Sequence, residues 1–207
     1  MRLYDYTASA NCYKVRLLLA LLDRPYERVP VDIFAGDTLT DAYAALNPLR
    51  ETPVLELESG ATIAQSNAIL WYLGEDTPFL PAEKLERALV QQWLSFEQER
   101  VMGGIGAPRF RLHTGRPELA GRLEIGAGAL AALDEHLRGR SWLVGDACTI
   151  ADVSVFGYGH LAADVGLEAG EQVRAWFERI RALPGFVADL EPYGENARPG
   201  ASRSIYD

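Results

Sequence analysis

Cysteine, histidine and methionine are scarce in this chain of 207 residues, which holds two, three and two of them. Two cysteines, Cys12 and Cys148, do not make a disulfide framework, so the composition points to a reducing, cytoplasmic setting. His113, His136 and His160 show no metal-ligand spacing, and no metal is expected. Positive charge is also short. Lys and Arg total 20 against 29 Asp and Glu, a formal net charge of -9. Without concentrated basic residues, neither nucleic acid nor an anionic membrane surface is an expected partner. Long hydrophobic runs are missing, and the apolar stretch between Val15 and Leu22 is far too short to span a bilayer. Polar and charged residues interrupt the opening positions, so no signal peptide is expected. What remains is a chain that is 48% hydrophobic, enough to bury a sizeable core.

The order of local signals divides this core in two. Residues 2–6 are short and aromatic and read as a strand. Val15, Leu18, Leu19 and Leu22 recur at i, i+3, i+4 and i+7, so residues 13–22 read as a helix that stops before Pro25. Residues 27–33 alternate as a half-buried strand, 40–46 form a short helix, 53–57 and 61–64 a hairpin, and 66–73 another helix. This is a mixed α/β layer over residues 1–75. Pro78 and Pro81 mark a linker over 76–84. Beyond it the periodicity is helical throughout 85–190. Residues 85–102, 150–165 and 173–183 read as helices, and Leu119, Leu123, Gly126, Leu130, Leu133 and Leu137 form a packing seam. The tail, 191–207, is rich in Pro, Gly, Ser and Arg and is expected to be loosely held.

Three stretches carry chemistry. Ser9-Ala10-Asn11-Cys12 lies where a helix opens after a strand. Free N–H groups and the positive dipole end there stabilise an anion such as a thiolate. A simple helix cap at Ser9 or Asn11 is the structural alternative. Thr52-Pro53 precedes a run of strand formers; composition alone makes the bond trans, and a cis bond would leave the Thr52 backbone free to pair with an extended peptide. Gln65-Ser66 opens the third helix, where a serine caps or binds a carboxylate.

Together and in this order, the stretches resemble the glutathione transferase superfamily. The resemblance runs from the start to about residue 190. It implies a thioredoxin-like α/β N-terminal domain followed by an all-α C-terminal helical bundle domain. It implies that Ser9, with Asn11 beside it, activates the glutathione thiol. Pro53 would be cis, with Thr52 pairing to the cysteinyl backbone, and Gln65 and Ser66 would hold the γ-glutamyl end. The acceptor pocket would draw on Met102, Arg109, Phe110, His113 and Tyr158. The run around Thr149-Ile150-Ala151-Asp152 resembles the family's buried capping motif, so these two polar residues would be structural. Capping energetics alone put Asp152→Ala at about 0.5–2 kcal/mol.

Two departures stand out. No Lys, Arg or His lies between Asp32 and Asn47, where many relatives hold the glycine carboxylate of glutathione. Arg50 is the nearest substitute. Cys12 sits one residue beyond the family's cysteine position, which falls on Asn11. Gly103-Gly104-Ile105-Gly106 reads as a bend, an open cavity or an ordinary loop. The function implied is a homodimeric, detoxifying glutathione transferase, with glutathione as co-substrate, acting on a small hydrophobic electrophile. A glutathione-dependent disulfide or peroxide reductase and a non-enzymatic binding module are the alternatives.

Overall fold

A computed structural model describes residues 1–206. It begins with β1 (Arg2–Asp5), α1 (Ala10–Leu21), β2 (Glu27–Pro30) and α2 (Asp41–Leu46), then β3 (Val54–Glu56), β4 (Thr62–Ala64) and α3 (Ser66–Gly74). The strand order is β2-β1-β3-β4. β1 and β2 run parallel, with Leu3 opposite Arg28, while β1–β3 and β3–β4 are antiparallel. Leu3 and Leu55 bury completely against α1 and α3, whose Leu17, Leu18, Ile69 and Leu70 are equally enclosed. Arg16 anchors this layer from inside. Its guanidinium bonds Asp5 of β1 at 2.5 Å and Asp189, far along the chain, at 2.9 Å.

The second half contains α4 (Lys84–Phe96), α5 (Ala107–Thr114), α6 (Arg122–His136), α7 (Ile150–Gly159) and α8 (Glu171–Arg181). Among the described residues no strand follows β4. The glycine run is not a loop, and Gly106 lines a cavity. Glu97–Gly106 is a π-helical segment that joins α4 to α5. Its glycines serve close packing: a Cβ on Gly104 would lie 2.3 Å from the backbone nitrogen of Gly126 on α6. The two helices therefore touch backbone to backbone. Several sequence readings shift at the edges, and the strand expected over 27–33 ends at Pro30. Residues 150–165 divide into α7 and a 3-10 turn over Ala162–Val165, and the seam loses Leu119, which is 41% exposed.

His160 caps α7 between Phe156, whose ring stacks at 4.5 Å, and Tyr13 at 5.6 Å. Burial lowers its pKa from 6.5 to about 4. The folded protein therefore keeps this imidazole neutral where the unfolded chain already takes a proton. Stability is intact above pH 6.5 and is lost as pH falls from there toward 4. Up to about 3 kcal/mol is expected to disappear over that window. Urea midpoints measured against pH, with His160→Gln alongside, test this; equal pH slopes for the two proteins would refute it.

Candidate functional site

The site is assembled at the N-termini of α1 and α3. Ser9 is the N-cap of α1, extended at φ -79° and ψ 119°, and its hydroxyl accepts the Cys12 N–H at 3.4 Å. The hydroxyl proton remains available to a ligand. Asn11 lies two residues on, partly exposed. Its Oδ1 accepts the Lys14 ammonium at 3.0 Å and the Ser66 hydroxyl at 3.1 Å. Cys12 points the other way, into the sheet, and is completely buried. It accepts the Tyr6 N–H at 3.4 Å, and burial pushes its thiol up to about 12. It is therefore not a thiolate at neutral pH.

Thr52–Pro53 is cis, and both residues face the same cleft. Gln65 stands at φ +72° just before α3, and its amide donates to Glu51 at 3.2 Å. Ser66 is the first residue of α3. Thus Ser9, Asn11, Thr52, Pro53, Gln65 and Ser66 all line one cavity of about 560 Å³. Arg50 does not line it. At φ +58° its side chain turns back to the carbonyls of Thr38 and Thr40, both at 3.0 Å. The turn chemistry of Asn47-Pro48 thus directs Arg50 to bracing the loop before α2. Glu51, beside it in sequence, lines the cleft instead.

The opposite wall is apolar and aromatic. Of the residues expected there, Met102, Phe110 and Tyr158 line the cleft. Arg109 and His113 do not. Arg109 is buried on the far side of α5, with its guanidinium 2.7 Å from Asp164, and His113 turns toward the same carboxylate at 3.7 Å. Arg109 and His113 are four residues apart and share one face of α5, while Phe110, a step of about 100° from Arg109, presents another.

The tail supplies what sequence reasoning missed. Residues 191–206 fold back over the cleft rather than lying loose. Ala197 is fully buried; the Arg203 N–H donates to Phe34 O at 2.8 Å; Asn196 donates to Asp32 at 2.8 Å. Tyr193 and Tyr206 thereby join the cavity wall. Phe110 meets Tyr206 at 5.0 Å and Tyr193 at 5.8 Å between centroids. The available signal was two tyrosines in an otherwise polar tail. Burial raises the phenol of Tyr6 to about 12 and that of Tyr158 well above its ordinary value. Both stay protonated, so this wall presents neutral rings and O–H donors. Arg111 is the only Lys or Arg among the described residues that line the cleft.

This arrangement has clear relatives. Residues 8–76 match the family model of the glutathione S-transferase N-terminal domain, and 101–184 match that of its C-terminal domain. Maleylacetoacetate isomerase of Pseudomonas aeruginosa is 30% identical over 90% of this chain and 93% of its own. The structure of a possible glutathione S-transferase from Rhodopseudomonas palustris superimposes with a TM-score of 0.85 at 40% identity, over 92% of this chain and 98% of that one. A glutathione S-transferase from Pseudomonas fluorescens gives a TM-score of 0.87 at 38% identity, with the same coverage. A cleft with a polar wall of two helix N-termini, on a four-stranded mixed sheet beside a helical domain, thus coincides with whole-length sequence similarity, and the chain is an enzyme of the glutathione S-transferase family.

Proposed function

We propose that the protein ionises the thiol of glutathione and adds it to a small, hydrophobic, uncharged electrophile. The observation that carries this is the two-sided cleft. One wall gathers hydrogen-bond donors and helix N-termini, and the other is a surface of neutral aromatic rings. Thr52, Gln65 and Ser66 hold the extended tripeptide, whose sulfur then falls at the positive end of α1. Ser9 and Asn11 donate to it there. Each charge-assisted bond favours the thiolate by about 1.5–3 kcal/mol, and neither donor has to lose its own proton. With Arg111 the single cation among the described residues of the wall, an anionic acceptor would be poorly matched, while a flat apolar one is well matched.

Steady-state conjugation of glutathione to aromatic electrophiles, run beside reduction of hydroxyethyl disulfide and the isomerase activity named for the Pseudomonas relative, tests the reading. Conjugation is expected to be fastest with neutral aromatic acceptors. Turnover confined to the disulfide would transfer the assignment to a reductase. Ser9→Ala is expected to lower conjugation roughly tenfold without abolishing it, since the α1 N–H groups and Asn11 remain.

The working form we propose is a cytoplasmic homodimer, with the first domain of one subunit against the helical domain of the other. An open groove between α3 and α4, lined by Trp71 and Leu94, offers a face for it. The two unpaired, buried cysteines fit a reducing compartment. Sedimentation at micromolar concentration as a single subunit would overturn the dimer.

A further inference from the structure

Lys14 is an unusual residue to find where it is. It lies in the first turns of α1, completely buried, and its ammonium is 2.7 Å from Glu97 Oε1, itself completely buried. Space is kept for it: a Cβ on Gly157 of α7 would sit 2.4 Å from Lys14 Cγ. Glu97 is held in turn by the Asn67 amide at 3.0 Å and the Ser154 hydroxyl at 3.2 Å. Removing two charges from water is costly, and an apolar pair of the same volume would often serve stability as well. The pair therefore asks for a role other than stability.

The second hydrogen bond of the ammonium supplies one. Lys14 Nζ donates to Asn11 Oδ1 at 3.0 Å, and the Ser66 hydroxyl reaches the same oxygen at 3.1 Å. An ammonium has donors only, so it accepts just one orientation of the amide: oxygen inward, nitrogen outward. Asn11 lines the cleft, so its NH2 group is the part presented to a ligand there. A positive charge behind the carbonyl oxygen also draws electron density away from the amide nitrogen, which makes its N–H groups better donors to an anion.

We propose that Lys14 is a positioning residue that acts through Asn11, fixing the amide with its N–H groups toward the glutathione sulfur and polarising them to favour the thiolate. This rests on the glutathione reading above and adds a group that never touches the substrate. The Ser66 hydroxyl, shared on the same oxygen, ties the γ-glutamyl end of the site to the same device.

The experiment measures thiolate formation directly, through the ultraviolet absorbance of the glutathione thiolate in the binary complex against pH. Lys14→Met alone leaves Glu97 buried without its partner, so the working variant is Lys14→Met with Glu97→Gln, and its fold is checked by thermal melting. The thiol pKa is expected to rise by about one unit, and kcat near neutral pH to fall about tenfold, recovering at high pH where the thiol ionises unaided. Asn11→Asp keeps an acceptor for Lys14 but offers no donor to sulfur, and it is expected to reproduce the rise without the double change. In an Asn11→Ala background the Lys14/Glu97 change should have no further effect on the pKa. An equal shift with and without Asn11, or an unchanged thiol pKa in the Lys14/Glu97 and Asn11→Asp variants, would overturn the proposal while leaving the glutathione reading intact. No thiolate in the unmodified protein would take both down.

Discussion

Asp152→Ala is expected to cost about 3–5 kcal/mol of stability, well beyond the loss of a helix cap. Thr149 and Asp152 do form the reciprocal capping box at the start of α7. The carboxylate does more than that. It is completely buried and accepts the Thr149 N–H at 2.9 Å and hydroxyl at 3.0 Å, the Leu143 N–H at 3.0 Å, and the indole N–H of Trp176 at 2.9 Å. Burial raises its pKa, and those donors work against the rise. It thus joins α7 to the loop before it and to α8, and alanine would leave buried donors on each without an acceptor. Asp152→Asn is expected to be nearly as harmful, because its NH2 group would face other donors. Urea unfolding at neutral pH measures the change. A loss of about 2 kcal/mol or less would reduce the residue to an ordinary cap.

Deleting residues 191–207 is expected to lower kcat/KM for an aromatic electrophile about 10- to 100-fold while changing KM for glutathione little. The deletion removes Tyr193 and Tyr206 from the wall that Phe110 completes. Two aromatic contacts of about 0.5–1.5 kcal/mol each, together with the reopened access of water to the cleft, give that range. Asp189 is retained, so the buried guanidinium of Arg16 keeps its partner. The donors proposed for glutathione also remain, since Ser9, Asn11, Thr52 and Ser66 all lie on the first domain. The measurement is a kcat/KM series over acceptors of graded size and aromaticity. If the truncated enzyme treats them as the full chain does, the tail is only a cover.

Much of this was legible in the residues. The 3.6-residue period over Val15, Leu18, Leu19 and Leu22 names a helix because only that period gathers the four on one face. The same holds for α3. The polar wall was equally legible, because a helix N-terminus is a local feature: Ser9, Asn11 and Ser66 lie within a few residues of the turns that expose them. The Thr149–Asp152 spacing named its own cap for the same reason.

The tertiary structure decided everything that depends on which way a side chain turns at long range. Arg50 and Glu51 are neighbours in sequence, yet a positive φ at Arg50 sends its guanidinium to Thr38 and Thr40 while Glu51 stays in the cleft. Phe110 lines the pocket, but Arg109 beside it pairs with Asp164 on another element, 55 positions away. The glycine run read as a bend, an open cavity or a loop; only the backbone of Gly126 across from Gly104 shows why glycine is required. The tail looked solvated by composition, but Phe34, Asp32 and Arg116 give its backbone and side chains partners that no local pattern encodes. Local periodicity and capping are set by near neighbours and so can be read along the chain, whereas the aromatic wall and the Lys14–Glu97 pair are made by groups that meet only once the helices have packed.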